Sequence, residues 1–259
     1  MISGLYASAT CLLNGQKALD VVVNNLANVN VPAFKQQRTT FRSFPDIMLQ
    51  HAGPSEPSQR AIGKVGGGAR VDEIRTSFHP GQLNFTGNQD DLAISGDGFF
   101  QVLTDKGVRY TRNGSFSRDT QGVLRASDGS PVMGKGGLVY IGEQSYQVKS
   151  NGDVVVIREE GGVVTEQLID TVDLVEVTRP EVLKRVGNSQ FELPPEYAHL
   201  ARPATGTVLQ GYLEQANISV VSAMVRMIDA FRTYETSQRA IHAIDETLKK
   251  AVNEVAKVS

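Results

Sequence analysis

Apolar residues recur at helical spacing at the two ends of this 259-residue chain, and not between them. Ile2, Leu5, Ala9, Leu12, Leu19, Val23 and Leu26 follow a 3-4 spacing, interrupted at Gln16. Val220, Met224, Met227, Phe231, Tyr234, Ile241, Leu248, Val252 and Val255 follow a 4-3 spacing, interrupted at Gln238 and Asp245. Residues so spaced line one face of an α-helix, and such a face must be covered by another apolar surface. The intervening chain is rich in Gly, Val, Asp-Gly and Asn-Gly and carries no helical period. These patterns predict an α+β fold: a mainly-β central body of short strands, barrel- or sandwich-like, flanked by long amphipathic N- and C-terminal helices that form a coiled-coil layer. Cohesive helices at both ends suit a chain that joins other copies of itself.

Composition narrows the function further. Hydrophobic residues make up 40% of the chain, enough for a packed core. The 26 Lys and Arg are scattered among 28 Asp and Glu, so no basic stripe exists to hold nucleic acid. No run approaches the roughly 18 apolar residues that span a bilayer, and direct membrane insertion is not expected. The lone Cys11 excludes an intramolecular disulfide and reads as a small buried residue. The start, Met-Ile-Ser-Gly-Leu, has neither a basic n-region nor a cleavage site. The chain is therefore expected to stay in the cytoplasm or to leave it without a cleaved signal peptide.

Along the chain, the first helix is predicted from about Ser3 to Ala27, where Asn24, Asn25, Asn28 and Asn30 weaken it and Pro32 pushes Val31 out of the α region. The stretch 33–47, with Phe34, Phe41 and Phe44, reads as a short helix or an extended arm; 51–69, with Pro54, Pro57 and Gly66-Gly67-Gly68, looks least ordered. Residues 92–94, 99–103, 108–111 and 154–157 read as strands. Asp97-Gly98, Asn113-Gly114, Asp128-Gly129 and Asn151-Gly152 read as turns needing positive φ. Residues 178–211, interrupted by Pro180, Pro194, Pro195 and Pro203, look like a return passage without regular structure. The last helix is capped by Asn217 or Ser219 and runs to about Ala256, with Glu235–Arg239, Asp245–Lys249 and Glu246–Lys250 as supporting i,i+4 pairs. The domain plan is a 1–30 helix, a 31–69 bend and arm, a 70–210 β-rich body and a 211–259 helix.

Sites of chemistry are not evident. Gly66-Gly67-Gly68 is followed by Ala69 and Arg70, not by the Lys-Ser/Thr of a phosphate loop. His51, His79, His199 and His242 are too dispersed for a zinc site, and Asp90, Asp91 and Asp97 lack calcium-loop spacing. No Gly-x-Ser-x-Gly elbow occurs. No catalytic, cofactor or metal residue is predicted, and the chain is not expected to be an enzyme. The stripes are instead predicted to pair within one chain and to pack between copies, because Leu13, Val22, Val221, Val225 and Ile228 flank them. Gln16, Gln238 and Asp245 either mark register at core positions or face a wet space. The ends are expected to order fully only on meeting neighbours, since a long isolated helix is marginal in water.

Four blocks of sequence are more specific. The segment Asn24-Asn25-Leu26-Ala27-Asn28-Val29-Asn30, followed by Phe34-Lys35, resembles the N-terminal signature of bacterial flagellar rod and hook proteins. Gly96-Asp97-Gly98-Phe99-Phe100, Tyr110-Thr111-Arg112-Asn113-Gly114-Ser115-Phe116 and Gly211-Tyr212-Leu213-Glu214-Gln215-Ala216-Asn217 resemble blocks of the larger rod proteins of that family. Where the family usually has Thr-Gly before Phe-Lys, this chain has Pro32-Ala33. The resemblance implies a self-assembling tubular structure in which terminal helices form an inner layer around a channel. It also implies neighbouring rod and hook proteins, surrounding ring proteins, a basal-body location, and export by the flagellar type III apparatus. The residues alone also admit an extracellular adhesive or scaffold protein that assembles through the same helices.

Overall fold

Local periodicity and turn chemistry lead to an N-terminal helix, a mainly-β middle and a C-terminal helix in the computed structural model, which describes residues 2–43, 47–51, 60–65, 69–142, 144–160 and 163–255. The contacts divide the chain into two units. One comprises Met1–Ala27, Gln37–Thr76 and Ser219–Ser259; the other comprises Asn28–Gln36 and Ser77–Ile218. The segment read as a bend and arm is thus shared between them.

In the first unit, helix α1 (Ile2–Ala27) packs against helix α2 (Val220–Val255). They run antiparallel: a carbon added at Gly15 would stand 3.4 Å from the Tyr234 backbone, and one at Gly4 would stand 3.8 Å from Ile244. Covered positions on α2 include a 4-3 series, Ala223, Met227, Ala230, Tyr234, Ser237, Ile241, Ile244, Leu248 and Ala251, with Ser222, Glu235 and Ala240 partly covered beside it. Small residues at four positions of this series, with Gly15 opposite, let the helix axes come close and multiply van der Waals contacts. Ser237 enters this face without cost, because its hydroxyl donates to Thr233 O one turn back.

The same unit holds two antiparallel strand pairs, Gln37–Ser43 with Ala69–Thr76 and Ile47–His51 with Arg60–Val65. The uncertain stretch after residue 33 is therefore extended from Gln37, and part of the segment expected to be least ordered forms strands. Phe44, Pro54, Pro57 and Gly66-Gly67-Gly68 lie outside the described residues.

Two asparagines fasten α1 to the first strand pair. Asn25 Nδ2 donates to Gln37 O (2.7 Å) while Gln37 N donates to Asn25 Oδ1 (2.9 Å). Asn14 does the same for the other strand, donating to Ala69 O and accepting from Val71 N. Eleven residues are close to three helical turns, so both amides face one side, with the buried Val21 between them.

The second unit is built of antiparallel sheets. Its largest has six strands in the order Lys184–Gly187, Gln190–Glu192, Gly107–Thr111, Phe99–Thr104, Leu174–Val177 and Ala201–Pro203. A three-stranded sheet comprises Tyr146–Val148, Asp153–Glu160 and Val163–Thr171, and short pairs join Leu83–Phe85 to Tyr212–Glu214 and Leu92–Ser95 to Thr207–Gln210. None of the described sheets closes into a barrel. The main core gathers Leu92, Phe100, Val102, Leu124, Val139, Tyr146 and Val156; a smaller cluster holds Phe99, Val177, Leu183 and Phe191.

Three expectations are corrected here. The passage 178–211 carries strands, because its prolines sit where proline is tolerated: Pro180 and Pro195 open 3-10 turns, and Pro203 lies on an edge strand. Gly114 is not a positive-φ turn residue; a side-chain carbon there would overlap the Leu92 carbonyl, so close approach explains it. Cys11 is exposed rather than buried, although the helix it belongs to is partly covered by α2.

Candidate functional site: a buried charge cluster and an open helix face

The segment after α1 bends through two consecutive turns, in which Val31 N donates to Asn28 O and Phe34 N to Val31 O. Ala33 takes a left-handed φ of 55°, and its N–H donates to Glu214 O at 2.7 Å. A side chain with Cβ in that region costs about 1–2 kcal/mol, so glycine is the residue this bend prefers. That accounts for the glycine usual in the resembled family, and it shows that Ala33 preserves the bend under strain.

Beyond the bend, Phe34, Lys35 and Gln36 are all buried. Lys35 Nζ donates to Glu214 Oε1 (2.6 Å) and to His79 O (3.0 Å), with the paired side chains only 1% and 2% exposed. Gly81 N donates to the same carboxylate oxygen, and Arg112 Nη1 lies 3.7 Å from Glu214 Oε2 while its guanidinium covers the Phe99 ring. Asn217 completes the closure: its Oδ1 accepts from Gln36 N, and its Nδ2 donates to Ser77 O and His79 O. Arg185 stacks on Phe34 with its guanidinium carbon 4.0 Å from the ring centroid. Burial pushes the Lys35 ammonium and the Arg112 guanidinium below their ordinary ranges, and Glu214 opposes both shifts. Two cations around one carboxylate in a buried cluster have no evident chemistry to perform. They hold three remote stretches of chain in one arrangement.

Five of the fourteen motif residues therefore meet. Phe34, Lys35, Phe99, Glu214 and Asn217 build the cluster, Phe100 enters the main core, and Asn25 clamps Gln37. Gly96, Gly98 and Gly211 hold φ values of 102°, 144° and 78° that favour glycine. Asn28 lies in the bend, Asn24 and Ala27 are exposed on the last turns of α1, and Leu26 is half-buried. Sequence reasoning named Arg112 only within a family block and did not single out Asn14 or Gly15. The signals available were a polar amide inside an apolar helix and its eleven-residue spacing from Asn25.

The stripe residues separate into two faces. Leu5, Leu12, Leu19, Met227, Tyr234, Ile241 and Leu248 are half-buried, as positions between paired helices would be. Val23, Val220, Met224, Phe231 and Val252 are exposed, together with the flanking Leu13, Val221, Val225 and Ile228. The side chain of Ile2 lies outside the described residues. Gln16, Gln238 and Asp245 are exposed rather than placed between α1 and α2.

Comparison with known proteins gives these features a setting. The model described as "Flagella basal body rod protein" matches residues 5–35, "Flagellar hook protein FlgE/F/G D1 domain" matches 93–165, and "Flagellar basal body rod FlgEFG protein C-terminal" matches 209–254. The chain is 31% identical to the flagellar basal-body rod protein FlgG of Bacillus subtilis, over 98% of this chain and 99% of the relative. It is 32% identical to FlgG of Borreliella burgdorferi over 98% of each. The chain belongs to the flagellar basal-body rod protein family. That family is structural and not enzymatic. The flagellar hook-basal body complex protein FlhO of Bacillus subtilis is similar at 26% identity over the full length of both chains. In this rod-family chain no helix among the described residues is long and apolar enough to cross a membrane, and no described cluster of His, Cys, Asp and Glu is placed to hold a metal ion.

Proposed function

We propose that this chain is an axial subunit of the flagellar rod, most like the distal rod protein, and that it self-assembles into a tubular shaft transmitting torque for motility. The second apolar face of α2 carries this reading. Val221 is 73% exposed and Phe231 55%, and with Met224, Val225 and Ile228 they form a stripe over three turns. The neighbouring face is already covered by α1. Burying side chains of this size is worth about 1.5–3 kcal/mol each, so the open stripe favours partners on other copies. Terminal helices of many copies would then form a coiled-coil layer around a channel, and a heterologous contact that does not close repeats into a helical array. Neighbouring rod and hook proteins, surrounding ring proteins and the flagellar type III export apparatus are the expected partners. The basal body is the expected location, reached without signal cleavage.

The test is Ile228→Asp, which puts a charge on the open stripe and touches nothing between the paired helices. The variant should keep the wild-type circular dichroism spectrum and melting temperature while basal bodies isolated from the cell lack a complete rod. Complete rods and normal swimming would overturn the reading.

A further inference from the structure

One aromatic ring of the second unit is held in place and yet left open to solvent. Phe85 ends the short strand Leu83–Phe85 and is 67% exposed. Tyr212 on the paired strand lies against it, with ring centroids 5.1 Å apart and planes tilted by 60°. A side-chain carbon at Gly211 would stand 3.4 Å from the Phe85 ring and one at Gly87 3.7 Å, so two glycines bring the backbone up to the ring. Thr86 N and Gly87 N both donate to Gly211 O, which ties those backbones together. The ring is therefore buttressed on its inner side, and its open side keeps the hydrophobic cost of exposure.

Phe85 borders an open groove of about 660 Å³. Among the residues lining it, Val148 and Val208 are buried, whereas Asn88, Gln89, Gln147 and Ser150 are exposed. The Gln210 amide is engaged, its Oε1 accepting from Val148 N and its Nε2 donating to Gln89 O. The Gln89 and Gln147 side chains have no partner among the described residues, and Asn88 uses only its Oδ1, which accepts from Asp90 N. Among the described residues the groove has a single charge, Lys149, and Glu166 holds it at 2.7 Å.

We infer that this groove binds a neutral sugar chain. A pyranose ring has one face of C–H groups, which stacks on the partly negative face of an aromatic ring, and a rim of hydroxyls that both donate and accept. Carboxamides answer those hydroxyls, because each offers two N–H donors and a carbonyl acceptor. An open aromatic ring beside free carboxamides in a groove of this size suits such a ligand. Charge excludes the alternatives: an anionic ligand finds no unpaired cation in the groove, and a cationic one finds no carboxylate. The site is separate from the α2 stripe, so its failure would leave the rod reading standing.

The test is an NMR titration of the soluble chain with neutral tetrasaccharides of β-1,4-linked glucose and of β-1,4-linked N-acetylglucosamine. Amide shifts from at least one of them should concentrate at 85–89, 147–150 and 208–211. Phe85→Ser should weaken that binding at least about tenfold through loss of the stacking surface, and Phe85→Tyr should keep it. Gln147→Leu, at an exposed position, should weaken it roughly threefold through loss of a hydrogen bond. No shift with about 10 mM of either sugar, ten times a millimolar dissociation constant, would overturn the site, as would binding that survives Phe85→Ser unchanged. Shifts of the same residues by an uncharged proline-rich peptide, and not by sugar, would overturn it in favour of a peptide groove.

Discussion

The two units solve the burial problem in opposite ways. In the second, even charged groups are enclosed: Lys35, Arg112 and Glu214 are buried together, and backbone groups from 33, 79 and 81 bond to Lys35 and Glu214. In the first, apolar groups are left in solvent, with the α2 stripe from Val220 to Phe231 exposed. The enclosed cluster costs desolvation, and such a cluster contributes little net stability while strongly penalising any arrangement that separates its members. The exposed stripe costs hydrophobic free energy in the single chain and is recovered on association. The charged cluster is enclosed within the chain, whereas the open α2 stripe gains cover only from a partner.

The comparison breaks most visibly at Glu214. Glu214→Ala leaves two buried cations without their counter-charge and should destabilise the second unit by about 3–5 kcal/mol, seen in chemical denaturation. If the loss is below about 1 kcal/mol, the cluster is hydrated rather than enclosed. Next in size is Gly15→Leu, which must push α1 from the Tyr234 backbone and should cost about 1–3 kcal/mol by thermal melting of the helical signal. By contrast, Val225→Asp should change monomer stability by no more than about 0.5 kcal/mol. A large monomer effect there would mean that the stripe is not open.

Smaller effects sharpen the same contrast. Ala33→Gly should stabilise the bend by about 1 kcal/mol or less, because relief of the left-handed strain exceeds the added chain entropy. An unchanged or lowered midpoint would show that the bend carries no strain. The smallest effect is electrostatic. Backbone N–H of Val123 and the Arg125 guanidinium hold Asp119 below the usual carboxylate range, against a small opposing desolvation. Its folded pKa is depressed, so its contribution is present above the unfolded value of about 3.9 and is lost as pH falls through the lower folded value. An NMR titration should place the Asp119 carboxyl below the ordinary aspartate value of about 3.9.

Much of the layout is legible in local pattern. The two helices, the strands at 92–94, 99–103, 108–111 and 154–157, and the turns at Asp128-Gly129 and Asn151-Gly152 depend on neighbours close in sequence, where periodicity and glycine carry the information. The strands between 184 and 210 were hidden because proline frequency does not reveal whether each proline falls at an edge or a turn. Asn25 read as a helix-weakening residue, although its amide is occupied by the backbone of Gln37.

The sequence by itself determined that each terminal helix has an apolar stripe and that the middle is β, because those properties repeat every few residues. Only the tertiary structure decided which stripe turns inward. On α2 the choice went to the face that alternates Ala223, Ala230 and Ser237 with Met227 and Tyr234, where Gly15 of α1 meets the Tyr234 backbone, and Met224 and Phe231 stayed outside. Only the tertiary structure paired Lys35 with Glu214, 179 residues away. A charge carries no local mark of its partner; burial makes that partner obligatory, and the folding of the whole unit supplies it.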